Sequence, residues 1–254
     1  VTSITGPQYC TALDRIEIDI TFSCNLRCLN CDRSCSQAPD ERRMDVAQIA
    51  RFIEESLATA KEWSKISLMG GEPFLHPQVH EIMELLLAFR TRHSPGTMLE
   101  IATNGHGVAV RKAISMAPEG FFIRDSAKTS PIQEDFEPFS IAPCDRLRYR
   151  SADFRNACWI TAEVGIGLNR FGFYQCAVAG GIDRVLGFDI GLKRLPEGQG
   201  DLLDLKRGLC RYCGHFNNPR QRQNRSGLRT EPRSKSWREA YRLFQREPVP
   251  LTPY

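Results

Sequence analysis

Arg15-Ile16-Glu17-Ile18-Asp19-Ile20-Thr21-Phe22 runs without a break into Ser23-Cys24-Asn25-Leu26-Arg27-Cys28-Leu29-Asn30-Cys31. The first stretch alternates apolar and polar residues, the period of a strand whose polar face can line a cavity. The second puts three thiols within a short loop directly at that strand's C-terminal end. A loop there can fold three sulfurs round one centre, and parallel-barrel active sites lie at that end. Three soft thiolates leave one coordination position of a cubane iron–sulfur cluster to a non-protein group. Two other readings stay open on these residues alone: a zinc loop with Cys35 as fourth ligand, or buried thiols that serve packing.

Outward from this stretch, strands and helices alternate. Asp45 caps a helix expected to run to about Trp63, with Val46, Ile49, Phe52, Ile53 and Leu57 on one face. Lys65 to Met69 reads as a second strand, stopped by Gly70-Gly71-Glu72-Pro73. A helix follows from near Pro77, with Val79, Ile82, Met83, Leu86 and Phe89 as its buried stripe. Met98 to Ala102 is a third strand, stopped by Thr103-Asn104-Gly105. A short helix over Val108 to Met116 leads to a fourth strand at Phe121 to Arg124. These spacings suit right-handed βαβ units and a parallel sheet or barrel.

Beyond Asp125 the pattern changes. Ser126 to Pro143 is rich in Pro, Ser and acids, with one candidate strand at Phe139 to Ala142. Glycines punctuate Val164 to Phe173, which suggests a small loop-rich unit, and Ser236 to Phe244 reads as one amphipathic helix. Too few residues separate the fourth strand from Cys158 for two more βα units. The expected fold is therefore α/β: a truncated partial (β/α) barrel over residues 1–140, a small loop-rich C-terminal unit over 141–225, and a basic tail with one helix over 226–254.

Composition narrows the function classes. Of 254 residues, 41% are hydrophobic and 25% charged, which excludes a disordered or collagen-like chain. The longest apolar run, Leu85 to Phe89, is too short to cross a bilayer, and no secretory pattern is visible at the N-terminus, so a cytoplasmic location is expected. Net charge is +4, and Pro219 to Tyr254 carries nine Lys or Arg against three Glu. We read that excess as a solvated terminal segment; with few aromatics and no RNA-binding signature, nucleic acid is a minor hypothesis, in the form of a zinc-binding module. The ten cysteines cluster unevenly, which in a chain without a secretory signal points to metal.

The Cys24-x3-Cys28-x2-Cys31 spacing, followed at the second strand's end by Gly70-Gly71-Glu72-Pro73, resembles the radical S-adenosylmethionine (SAM) superfamily over about Arg15 to Ser126. That resemblance implies a [4Fe–4S] cluster held by Cys24, Cys28 and Cys31. SAM would chelate the open iron, with one-electron cleavage giving a 5′-deoxyadenosyl radical that abstracts hydrogen from carbon. It also implies a SAM pocket at Gly70, Gly71, Glu72 and Pro73, whose backbone would approach the methionine amino group, and at Thr103, Asn104 and Ser126 on the third- and fourth-strand ends. Asn30 stands where many members carry an aromatic and would adjoin the adenine. Taken singly, Thr103-Asn104-Gly105 and Asp125-Ser126 also read as a turn and a helix cap.

A second set follows. Cys158 and Cys176 are separated by Gly165, Gly167 and Gly172, and Cys210-Arg211-Tyr212-Cys213 is a two-sulfur knuckle. Two separated cysteines and a CxxC make a closed four-thiolate site, suited to structural zinc or another iron–sulfur cluster. The layout resembles the twitch form of the SPASM auxiliary domain, and in cysteine architecture the 2-deoxy-scyllo-inosamine dehydrogenase family. This resemblance implies two [4Fe–4S] clusters and an external one-electron reductant such as flavodoxin or ferredoxin. The implied substrate is a small hydroxylated molecule (an aminocyclitol, sugar or nucleotide sugar) oxidised at a carbinol.

Two alternatives accompany this reading: an epimerase with Cys144 as hydrogen donor, and a peptide-modifying radical SAM enzyme. Cys144 also reads as an auxiliary ligand or a small buried loop residue. His76 and His80 read as an exposed helix end. One of Glu17 and Asp19 is expected to face the cavity, with Arg124 free to bind an anion or to pair with one of those acids.

Overall fold

The computed structural model describes residues 8–130, 139–216 and 232–254. Four strands and three helices alternate through the first half: β1 (Arg15–Thr21), α1 (Val46–Ala58), β2 (Lys65–Gly70), α2 (Val79–His93), β3 (Met98–Thr103), α3 (Val108–Ser115) and β4 (Phe122–Asp125). The second half adds α4 (Trp159–Val164), β5 (Ile166–Asn169), β6 (Gly172–Tyr174), α5 (Ala177–Leu186), α6 (Leu203–Leu209) and α7 (Lys235–Arg246). All six strands form one sheet in the order β4-β3-β2-β1-β5-β6. Every pairing is parallel except the β5–β6 hairpin.

The alternation of β1 sets up the two sides of the sheet. Ile16, Ile18 and Ile20 are buried among Ile49, Phe52, Ile82, Met83 and Leu86 of α1 and α2, in the main core. Glu17, Asp19 and Thr21 share the other side, because residues two apart point the same way. Both acids therefore share that side, and Glu17 is the one of the two that lines the cavity, as expected of one of them.

Four expectations are corrected. The first helix stops at Ala58 because Thr59 turns its hydroxyl onto Glu55 O and Ala60 takes a left-handed φ of 48°. That turn lets Trp63 fold back onto the helix, where its indole N–H donates to Ser56 Oγ. Phe139 to Ala142 is buried but forms no ladder, since its carbonyls accept from Gly214 and Ser234 instead. The glycine-punctuated segment is a hairpin, and β5 pairs with the free edge of β1, so the sheet grows on that side rather than ending as a barrel truncated after β4. His76 is buried with Nε2 against Met44 O, so it packs and does not pair with His80.

The C-terminal segment is not a solvated tail over its described part. Trp237, Tyr241 and Phe244 of α7 are buried against α5 and α6, forming a second core around Cys158, Cys176 and Cys213. Tyr254 reaches back to the first core, where its carbonyl accepts from Gln48 Nε2. The boundary at residues 225/226 lies outside the described residues. Among the described residues no helix is long and apolar enough to cross a membrane.

Candidate active site

The loop from Ser23 to Asp40 leaves β1 and is held from three directions. From the sheet, Glu17 and Asp19 bind Arg33: its guanidinium donates to Glu17 Oε2 at 2.7 Å, Asp19 Oδ2 at 3.3 Å and Asp32 Oδ2 at 2.9 Å. From α5, the fully buried Arg184 donates to the carbonyls of Arg33 and Ala38 and lies between the rings of Phe22 and Phe244. From α7, Tyr241 shares a 2.9 Å hydrogen bond with Ser34 Oγ. So many buried charge-assisted bonds give a cysteine loop one conformation, at the expense of desolvating the acids. Burial pushes Asp19 up to about 7 despite the pull of Arg33, and it raises Glu17 as well.

This loop forms one wall of a cavity of about 520 Å³. Cys24, Cys28 and Cys31 line it together with Gly70 and Gly71 from the end of β2, Thr103 and Asn104 from β3, and Ser126 after β4. Residues separated by as many as a hundred positions thus meet because parallel strands all end on one edge. Asn104 also ties the cysteine loop to β3, its Nδ2 donating to Asn25 Oδ1 at 2.8 Å.

Glu72, Pro73 and Asn30 are buried but outside that lining. Glu72 is a hub. Its carboxylate accepts from Thr103 Oγ1 and Asn104 N, both at 2.8 Å, and from Phe74 N at 3.1 Å, which locks the β2 and β3 ends together. The two glycines are needed for a reason that sequence did not show. A Cβ on Gly70 would stand 2.2 Å from Thr21 O, and one on Gly71 would stand 2.3 Å from Ser23 O. The constraint comes from the chain's own backbone at the end of β1, and Gly70 adds a φ of 131°.

The rest of the cavity wall was missed by sequence reasoning. Asp32, Arg33, Met69 and Lys128 line it, joined by Trp159, Ile160, Val164, Val178 and His215 from the second half of the chain. Alternation on β1 offered Glu17 or Asp19, and of these Glu17 lines the cavity. Arg124 lines the cavity too, but its Nε donates to Glu100 Oε1 at 3.1 Å rather than to Glu17 or Asp19. Cys35 also faces this cavity, where it donates to Cys31 and lowers that thiol's pKa, while its own is raised.

The second set converges elsewhere. Cys158, Cys176, Cys210 and Cys213 are all buried and line one narrow apolar cavity with Ile160, Val178, Ile182 and Phe216. Cys176 caps α5, whose N-terminus favours negative charge, and Gln175 Nε2 donates to Cys210 Sγ at 3.5 Å. Burial pushes Cys210 up to about 12 and Cys176 and Cys213 well above an ordinary thiol. Cys144 belongs to neither site. It lines a separate cavity of about 320 Å³ with Asp145, Arg146, Arg150 and Arg211.

Three thiols at one cavity and four at another are soft donors of the kind that bind metal as thiolates. Among the described residues no three His, Cys, Asp or Glu side chains could hold a single metal ion. Three thiols beside an open cavity suit a cluster with one iron left to an organic ligand, and four buried thiols suit a closed cluster.

Comparison with known proteins agrees with the first of these. Residues 18–124 match the Radical SAM superfamily. That stretch is similar to a radical SAM superfamily domain. The family implies a [4Fe–4S] cluster and SAM. The GTP 3′,8-cyclase of Chlorobaculum tepidum is 34% identical over 95 residues, which is 37% of this chain and 26% of that protein. The GTP 3′,8-cyclase of Nautilia profundicola is 30% identical over 96 residues, 37% of this chain and 28% of that one. The chain thus spans about a quarter of the length of these curated relatives. Among solved structures, BtrN in complex with AdoMet and 2-DOIA is 17% identical with a TM-score of 0.35, covering 63% of this chain and 58% of that one. BtrN in an open conformation is 15% identical with a TM-score of 0.38, covering 84% and 86%.

Proposed function

We propose that this protein is a two-cluster radical SAM oxidoreductase that oxidises a carbinol of a small hydroxylated substrate, such as an aminocyclitol, sugar or nucleotide sugar. The observation that supports it best is the single cavity in which Cys24, Cys28 and Cys31 meet Gly70, Gly71, Thr103, Asn104 and Ser126, with a charged wall beyond them. When bound, the cluster on the three thiols and its SAM supply a 5′-deoxyadenosyl radical, and a cluster on Cys158, Cys176, Cys210 and Cys213 supplies an electron acceptor.

The chain's own residues do the rest. The Gly70–Gly71 backbone and the Thr103–Asn104 strand end receive the cofactor's polar groups, and Glu72 fixes both by joining them. Glu17, Asp32, Arg33, Arg124 and Lys128 give the remaining wall both signs of charge, which suits a substrate carrying several hydroxyls and an amine or phosphate. Glu17, with its pKa raised by burial, takes the hydroxyl proton as the carbinol becomes a carbonyl. Trp159, Ile160, Val164 and Val178 cover the cavity from the second half and exclude water.

Oxidation is favoured over inversion because Cys144, the residue suited to return a hydrogen atom, lines a different cavity. The curated relatives are named GTP 3′,8-cyclase, but the match covers 37% of this chain and about a quarter of each relative, so their substrate is not carried over. The test is anaerobic purification followed by incubation with SAM, dithionite and a panel of aminocyclitols and sugars. About eight irons per chain, deoxyadenosine release and a ketone product are expected. A colourless protein carrying stoichiometric zinc overturns the reading.

A further inference from the structure

Lys206 lies on α6, one helical turn before Cys210, and is 2% exposed. Lysine is almost never so buried without a partner of opposite charge. The acceptors of its ammonium are neutral: Tyr9 O at 3.1 Å and Gln199 Oε1 at 3.3 Å. Gln199 is itself pinned, its Oε1 accepting from Thr11 N and its Nε2 donating to Thr11 O. Burial pulls the lysine below its ordinary pKa, and Cys210, Cys10, Cys176 and Cys158, when they are thiolates, pull it back up. Three of these four line the second cysteine site.

We infer that Lys206 is the fixed counter-charge of the second cysteine site, and that it raises the reduction potential of the centre held there. The inference rests on the two-cluster reading above. Four thiolates round a doubly positive [4Fe–4S] core leave a net charge of minus two, and one-electron reduction takes it to minus three. An ammonium buried one helical turn from a cysteine of that centre stabilises both states, the reduced one more. Charge balance explains why a lysine is buried here with only neutral hydrogen-bond acceptors. It also suits a centre that must accept an electron as a substrate carbinol, having lost one hydrogen atom, gives up a proton and an electron to become a carbonyl. Lys206 touches neither substrate nor SAM; it acts through the cysteines.

The experiment is an EPR-monitored redox titration of the anaerobically reconstituted full chain with dithionite, alongside iron and zinc analysis. Lys206→Met removes the charge, Lys206→Arg keeps it, and Gln199→Glu gives the ammonium a private carboxylate without removing it. In Lys206→Met and Gln199→Glu the second cluster should become at least about tenfold harder to reduce, a fall of about 59 mV for one electron. Lys206→Arg should stay close to the parent. Loss of the second cluster in Lys206→Met with rescue in Lys206→Arg also supports the assignment. About eight irons with an unmoved potential in Lys206→Met overturns it, as does an unmoved Gln199→Glu where Lys206→Met fails to assemble. A parent protein with only about four irons, or with zinc in the second site, removes the two-cluster reading and this inference with it.

Discussion

The two cysteine regions are built in opposite ways. Cys24, Cys28 and Cys31 sit on a loop after a parallel strand, half-exposed to a wide cavity and held from behind by Arg33, Arg184 and the acids of β1. Cys158, Cys176, Cys210 and Cys213 sit at helix ends inside an apolar core, buried and without comparable space. The first arrangement leaves room for an organic ligand and needs a polar scaffold to hold a loop against it. The second leaves no room and relies on packing. On the proposed reading, the first site performs the chemistry and the second stores charge.

That contrast breaks first under ligand substitution. Cys24→Ala should abolish deoxyadenosine formation and remove about four irons, whereas Cys176→Ala should remove the other four and uncouple SAM cleavage from ketone formation. Iron analysis with chromatography of both products checks this. If Cys176→Ala stops SAM cleavage outright, the two sites are not functionally separate.

A smaller effect is expected at the cavity wall. Glu17→Gln should slow product formation by roughly a hundredfold while deoxyadenosine release changes only a few-fold, because only the proton step needs the carboxylate. Equal losses in both would assign Glu17 to holding Arg33 alone. Gly71→Ala forces a Cβ to within 2.3 Å of Ser23 O, so the β1 and β2 ends must separate. SAM affinity should drop by about tenfold and the melting temperature by several degrees, which equilibrium binding and calorimetry would measure.

The polar scaffold also predicts a pH dependence that the packed site does not share. Asp19 holds its proton up to about pH 7 when folded. An acid raised above its unfolded value contributes stability at low pH that is lost as pH rises from about 4 through about 7. The parent's melting temperature should therefore fall by a few degrees between about pH 5 and 8, and that of Asp19→Asn should not. Parallel slopes in the two proteins would place the titration elsewhere. The smallest effect belongs to Cys35→Ala, which should leave SAM cleavage within about threefold, since Cys35 donates to Cys31 rather than replacing it as a ligand.

The alternation from Ile16 to Phe22, the three-thiol loop and the Gly-Gly stop after β2 are local patterns, each carried by contiguous residues and readable without a fold. So were the four parallel strands and the stripe on α2, because hydrophobic period reports which face is buried. What needed the tertiary structure depends on contacts between distant segments. The pairing of β5 with the open edge of β1 is decided by which edge remains unpaired, not by the nine residues of the hairpin. The glycine requirement at Gly70 and Gly71 comes from carbonyls about fifty residues earlier in the chain. Glu72 reads as a ligand in a motif and is a strand-joining hub in space. Lys206 reads as one more basic residue until the fold shows it buried, one helical turn before Cys210. Sequence by itself determined the kinds of donor and their local spacing. Only the folded chain decided which donors share a cavity, because burial and charge balance depend on everything packed around them.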